Sequence, residues 1–220
     1  MRWYLLPFYL IDEYFLIILN HIRSYLYHKP PQTWNTGHKG DIVLIQGLHE
    51  RWIPLKKIAD VINQKGYRIH IINELETNTK PVSVCCQLVS EYIIKRDLKE
   101  VILVTHSKGG IIGMELLKDP KINQRVKKLI SIACPFQGSI FSFFFPYTHE
   151  LMPSSELIKS LHRGVDIKKV INLFPGIDNH VIPNKNLKLD NCINIQLDIF
   201  GHTRILEHGF TIQEIQKLLT

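Results

Sequence analysis

The stretch "VILVTHSKGG" (101–110) decides how this chain is read. Its first four residues are apolar and three of them are β-branched, the signature of a buried strand, while "IIGMELL" (111–117) directly after it reads as a helix. Ser107 stands at the junction, between His106 and Lys108, with Gly109 and Gly110 following. A strand that turns at once into a helix lifts the corner side chain above the sheet edge, and such a strained corner tolerates no bulky neighbours. Gly109 relieves the corner, and Gly110 lets the helix approach the strand. A serine hydroxyl is a weak nucleophile until a base takes its proton. The helix start behind it offers N–H groups and a dipole that favour developing negative charge. The stretch therefore reads as a nucleophile elbow. The other reading is a serine that caps an ordinary strand-to-helix turn. In the pattern G-x-S-x-G, Thr105 occupies the first glycine position.

Outward from the corner, strands and helices alternate. Strands are predicted at 41–47, 67–72, 100–106, 126–133, 168–174 and 191–197, and helices at 53–66, 82–96, 108–118 and 211–219. This order predicts an α/β architecture, a mostly parallel sheet of about six strands with helices on both faces. Ligands of such sheets bind beyond the carboxyl ends of the strands, so residues just after strands are the candidates for chemistry.

Bulk properties set the limits. With 220 residues, 45% of them hydrophobic, the chain can bury one sizeable core and is not disordered. Cys85, Cys86, Cys134 and Cys192 form neither a disulfide framework nor a zinc pattern, which suits a reducing compartment. The net charge of +7 is scattered except for Lys121, Arg125, Lys127 and Lys128, read as a solvated face or as a contact for an anionic membrane. No nucleic-acid motif accompanies the charge, so nucleic acid is not an expected partner. "HELMP" (149–153) begins like a zinc motif but ends in proline, so no metal is expected.

From Ser107 onward the sequence resembles the α/β-hydrolase family, especially its small lipase and esterase branch, over roughly residues 40–210. The resemblance rests on three segments in order. After the elbow, "VINLFPGIDNHVIP" (170–183) resembles the family's strand followed by an acid in a loop, and nominates Asp178; Asp198 is its rival. "IFGHTRIL" (199–206) resembles the histidine loop and nominates His202, with His180 and His208 as alternatives. The resemblance also implies two backbone donors for an oxyanion. These are the N–H of Lys108, next to the serine, and that of Leu48 in "IQGLHE" (45–50), where Gln46 replaces the family's usual histidine. "SIACPFQGS" (131–139) is similar to a further lipase segment, with Cys134 read as structural.

The implied function is hydrolysis of carboxylic esters by a Ser107–His202–Asp178 triad through an acyl-enzyme, without a cofactor. An acyltransferase or amidase would use the same triad, and a non-catalytic membrane or protein interaction module could occupy the same fold. Phe141, Phe143, Phe144 and Phe145 lie where the family inserts its cap, within a candidate lid at 139–165. They read as an apolar wall for an acyl chain, or as core-facing aromatics. The hydrolase domain is expected over 34–220, after an N-terminal segment at 1–33. In residues 1–29, Asp12 and Glu13 interrupt the apolar run and no small-residue cleavage site follows, so neither a signal peptide nor a spanning helix is expected. Two readings stay open, a helix at a membrane interface and a helix packed on the hydrolase core or over its site. The expected location is the cytoplasm or a membrane periphery.

Overall fold

Successive residues of a strand face opposite ways, and here both ways lead into a core. In β3 (Val101–His106), Val101 and Leu103 join one apolar cluster while Ile102 and Val104 join another. That is why the strand is an unbroken apolar run. The computed structural model describes residues 6–219. After α1 (Leu6–Leu26), the elements run β1 (Asp41–Ile45), α2 (Lys56–Gln64), β2 (Arg68–Ile71), α3 (Val82–Lys95), β3 and α4 (Lys108–Leu116). There follow α5 (Pro120–Asn123), β4 (Val126–Ile132), α6 (Glu156–Ser160), β5 (Val170–Ile177), β6 (Ile193–Phe200), α7 (Arg204–Glu207) and α8 (Gly209–Leu218). The six strands pair in parallel in the order β2-β1-β3-β4-β5-β6. Helices α3 and α4 cover one face, and α2 and α8 the other.

The boundaries differ from expectation where side chains or proline redirect the backbone. Strand β1 ends at Ile45, because Gln46 leaves the ladder for the loop after β2: its carbonyl accepts from Asn78 Nδ2 at 2.5 Å and its amide donates to the Glu76 carbonyl at 3.0 Å. The helix expected over 53–66 opens as a 3₁₀ turn, Ile53–Leu55, around Pro54. Strand β5 runs on to Ile177, three residues beyond the expected end.

This strand order positions the site. From β1 the chain goes out to β2 on one side and comes back to β3 on the other. The loops leaving β1 and β3 therefore diverge and open a crevice at the carboxyl edge. The basic cluster lies at the opposite edge, where Arg125 pairs with Asp97 at 2.8 Å and Lys128 donates to the Leu218 carbonyl at 2.7 Å.

Helix α1 turns an acid and an asparagine inward, among half-buried apolar residues. Glu13 and Asn20 are its buried residues, while Phe8, Ile11, Phe15, Ile18, Ile22 and Leu26 are all at least half exposed. The Glu13 carboxylate reaches the loop after β6 and accepts the N–H groups of Thr203 at 2.6 Å and Arg204 at 2.9 Å. Gly201, at φ +110°, makes the approach feasible, because a Cβ there would collide with that carboxylate. Asp12 pairs with the Arg204 side chain, and Tyr9 stacks on Phe200 with ring centres 5.8 Å apart. Burial pushes the Glu13 carboxyl above its ordinary range despite the two amide donors. The first five residues of the N-terminal segment lie outside the described residues. Among those described, no helix is long and apolar enough to cross a membrane.

If Glu13 holds α1 to this loop, Glu13→Ala leaves two amides without an acceptor. Unfolding free energy should drop by roughly 1–3 kcal/mol, and hydrogen exchange at Thr203 and Arg204 should quicken. Glu13→Gln, which keeps a carbonyl acceptor and loses the desolvated charge, should cost less. Unchanged exchange at both amides in Glu13→Ala would contradict the clasp.

Candidate active site

Ser107 occupies a backbone state that side chains rarely adopt, φ +51° and ψ −122°. Such a residue costs roughly 1–3 kcal/mol and persists only where its surroundings impose it. Here the Ser107 N–H donates to the Ile132 carbonyl and its carbonyl accepts the Gly110 N–H, both at 2.9 Å. The glycines are required by contact. A Cβ on Gly109 would overlap the Ile45 carbonyl of β1, and one on Gly110 would meet the Cys134 side chain. Cys134 is fully enclosed and burial drives its thiol pKa well up, which fits a packing role. Thr105, in the place of the first glycine, is buried within β3.

Asp178 follows directly on β5. Its Oδ1 accepts the His180 N–H at 2.7 Å and the Val181 N–H at 2.8 Å, which leaves Oδ2 to face His202 Nδ1 at 2.8 Å. Burial alone would raise the Asp178 carboxyl, but the charge and hydrogen bond of His202 outweigh it and hold it below the usual range. Burial would likewise lower His202, yet Asp178 raises it, with Glu50 and Glu13 adding to the effect. A carboxylate accepts, so His202 presents Nδ1–H to Asp178 and its Nε2 is left to act as a base. The His202 N–H donates to Asn179 Oδ1 at 3.1 Å, fixing the loop. The rivals are placed otherwise. Asp198 is exposed within β6, and His208 caps α8 by accepting the Phe210 N–H at 3.3 Å. The His180 ring lies 4.9 Å from that of His202, and burial together with the His202 charge lowers its pKa to about 4.

Ser107 and His202 line one cavity of about 470 Å³ at the carboxyl edge of the sheet, together with Leu48 and Lys108. The Leu48 N–H has no partner among the described residues. Lys108 opens α4, so the helix does not use its N–H either. The Lys108 side chain runs inward: Nζ donates to the carbonyls of Asn78, at 3.1 Å, and Lys80, and lies 3.6 Å from Glu150. Burial lowers its pKa. Of the four phenylalanines, Phe141 and Phe145 are among the cavity walls, while Phe143 and Phe144 are not and stay about two-thirds exposed. Helix α1 closes the cavity from above with Tyr14, Ile17, Asn20 and His21.

Three residues of this region escaped the sequence reading: Glu13, Glu50 and, in any role of its own, His106. His106 is fully buried; its Nδ1 lies 2.8 Å from Glu50 Oε2 and its Nε2 3.1 Å from the His202 carbonyl. The same Glu50 oxygen accepts the Gly47 N–H at 2.8 Å. Glu50 lies in a loop with no local pattern around it, and its partner His106 is 56 positions away.

No protein-family model matches the sequence, and no curated protein matches it. Solved structures do. The mature form of the Bacillus licheniformis lipase BlEst2 shares 18% identity, with 87% of this chain and 94% of that one covered at a TM-score of 0.59. An alpha/beta hydrolase enzyme, MGS-MChE2, from the metagenome of lagoon sediments at Mar Chica, Morocco, shares 20%, covering 84% and 90% at 0.57. The putative non-heme bromoperoxidase BpoC from Mycobacterium tuberculosis H37Rv shares 13%, covering 84% and 94% at 0.64.

The coupling of Asp178 and His202 is open to titration. The His202 ring, followed by NMR, should lose its proton above the ordinary value of 6.5, and at a lower pH in Asp178→Asn than in the wild type. A raised histidine adds stability that is complete below pH 6.5 and fades as pH rises through the folded-state value. The lowered Asp178 adds stability that is complete above 3.8 and vanishes as pH falls through its folded-state value. Identical His202 titrations in the two proteins would rule the coupling out.

Proposed function

We propose that this chain, which has the α/β-hydrolase fold, is a serine hydrolase that cleaves carboxylic esters of apolar acyl groups. One observation carries the reading. A serine held in a strained corner opens onto the same cavity as a histidine whose Nδ1 is taken by a buried carboxylate. Ser107 Oγ attacks the ester carbonyl while its proton passes to His202 Nε2, and Asp178 stabilises the imidazolium. The oxyanion is met by the N–H groups of Leu48 and Lys108. Collapse expels the alcohol, which takes the proton from His202, and water then releases the acyl group by the same steps. The cavity has the size and the apolar walls, Ile17, Leu48, Phe141 and Phe145 among them, that suit an acyl chain. The similarity to the lipase BlEst2 favours the same class of substrate.

We further propose that the outer face of α1 contacts a lipid surface. Phe8, Ile11, Phe15, Ile18 and Ile22 recur at intervals of three and four, so they form one stripe, and they are 51–68% exposed. Phe143 and Phe144 add exposed aromatic surface in the segment that supplies Phe141 and Phe145 to the cavity. An apolar stripe of this extent marks an interaction site, and Arg23 and Lys29 near its end carry the positive charge that anionic headgroups attract.

A fluorophosphonate probe should label Ser107, and Ser107→Ala should abolish both labelling and turnover of p-nitrophenyl esters, by roughly 10³-fold or more. His202 must be neutral to accept the proton and its pKa is raised, so the acid limb of kcat/KM should have its midpoint above pH 6.5. Undiminished turnover by Ser107→Ala would end the catalytic reading. The lipid contact has its own test. A Phe15→Gln/Ile18→Gln double variant should no longer float with phosphatidylserine-containing liposomes while still cleaving a soluble ester. Flotation equal to that of the wild type would exclude α1 as the anchor.

A further inference from the structure

Three loops must keep a fixed geometry if the proposed reaction is to run: the one with Leu48, the corner at Ser107 and the one with His202. Two linked side chains, Glu50 and His106, touch all three between them. Glu50 Oε2 accepts the Gly47 N–H at 2.8 Å, immediately before Leu48. The same oxygen lies 2.8 Å from Nδ1 of His106, the residue immediately before Ser107. His106 Nε2 lies 3.1 Å from the His202 carbonyl. The His106 side chain is wholly enclosed, so water offers its ring nitrogens no substitute partners, while that of Glu50 is 12% exposed.

The donor and acceptor roles show why a carboxylate is needed. A carbonyl oxygen only accepts, so His106 Nε2 donates to His202. The carboxylate also only accepts, so His106 Nδ1 donates to Glu50, and the Gly47 N–H donates to that same oxygen. Hydrogen bonds to an ionised acceptor are the stronger kind. The charge of His106 and the donors around Glu50 hold the Glu50 carboxyl below its ordinary range, although burial alone would raise it.

We propose that Glu50 and His106 are positioning residues, which lock the Leu48 amide, the Ser107 corner and the His202 loop into one geometry. The inference rests on the hydrolase reading above. Neither residue is assigned contact with the ester. Their effect lies in alignment, which matters in the transition state more than in the bound ground state.

The test compares wild type, Glu50→Gln, Glu50→Asp and His106→Gln in steady-state hydrolysis of a p-nitrophenyl ester, with fluorophosphonate labelling alongside. Glu50→Gln keeps the shape and removes the charge. It should lower kcat roughly 10- to 100-fold, since small misplacements of reacting groups have effects of that size, while KM stays near the wild-type value. Glu50→Asp, which restores the charge, should recover part of the loss. Combined with Glu50→Gln, His106→Gln should add little, because both act through one link. In the wild type, whether or not the variants fold, the Gly47 amide should be protected from hydrogen exchange although it lies outside any helix or strand. A folded Glu50→Gln with wild-type kcat, or free exchange at Gly47, overturns the inference and leaves the hydrolase reading intact. A wild type that neither turns over esters nor takes the probe overturns both.

Discussion

One backbone angle governs the site. At φ +51°, Ser107 lets β3 stop and α4 begin within a single residue, so the serine stands clear of the sheet edge and the first N–H of α4 lies beside it. The neighbours follow from that corner. Gly109 must lack a side chain because β1 passes against it, and Gly110 must lack one because Cys134 does. The corner is roughly 1–3 kcal/mol uphill. It is held by a bond to Ile132 at the end of β4 and by the burial of α4 between β3 and its neighbours. The reversal of strand order around β1 then brings Leu48 to the cavity from the other side.

What the sequence made legible was local or ordered. The six strands could be read because each is a short apolar run, and a parallel sheet covered on both faces leaves little room for polar residues in them. Ser107, Asp178 and His202 could be nominated because each stands just after a strand. Element ends were less legible: the departure of Gln46 from β1 depends on Asn78 and Glu76, which no periodicity in 41–47 reveals. Glu50, His106 and Glu13 were illegible for the same reason in stronger form. Their partners are 56, 96 and 190 positions away, and a lone acid or histidine has the same appearance in any loop. The phenylalanine run shows a middle case. Its apolar character was plain, but which rings face the cavity depends on the 3₁₀ turns at Ile140–Phe144 and Pro146–Leu151, which no periodicity in the run reveals.

The N-terminal helix departs from the usual arrangement of an amphipathic helix on a globular surface, in which acids face water: its most buried residues are Glu13 and Asn20, set among half-buried Leu10, Leu16, Ile17 and Leu19. Here the two acids that speak against a membrane-spanning segment, Asp12 and Glu13, are the ones that attach it to the loop bearing His202. Apolar packing could have held such a helix with less desolvation, and the raised pKa of Glu13 records that cost. A carboxylate gives something packing does not, which is direction. Two consecutive N–H groups at Thr203 and Arg204 can share one carboxylate only at one rotation of the helix about its axis. That rotation places Tyr14, Ile17 and His21 over the cavity and turns the stripe from Phe8 to Ile22 outward. Rotated by half a turn, the helix would bury the stripe and move these residues off the cavity. The buried acid therefore decides which face meets the site and which meets the surroundings.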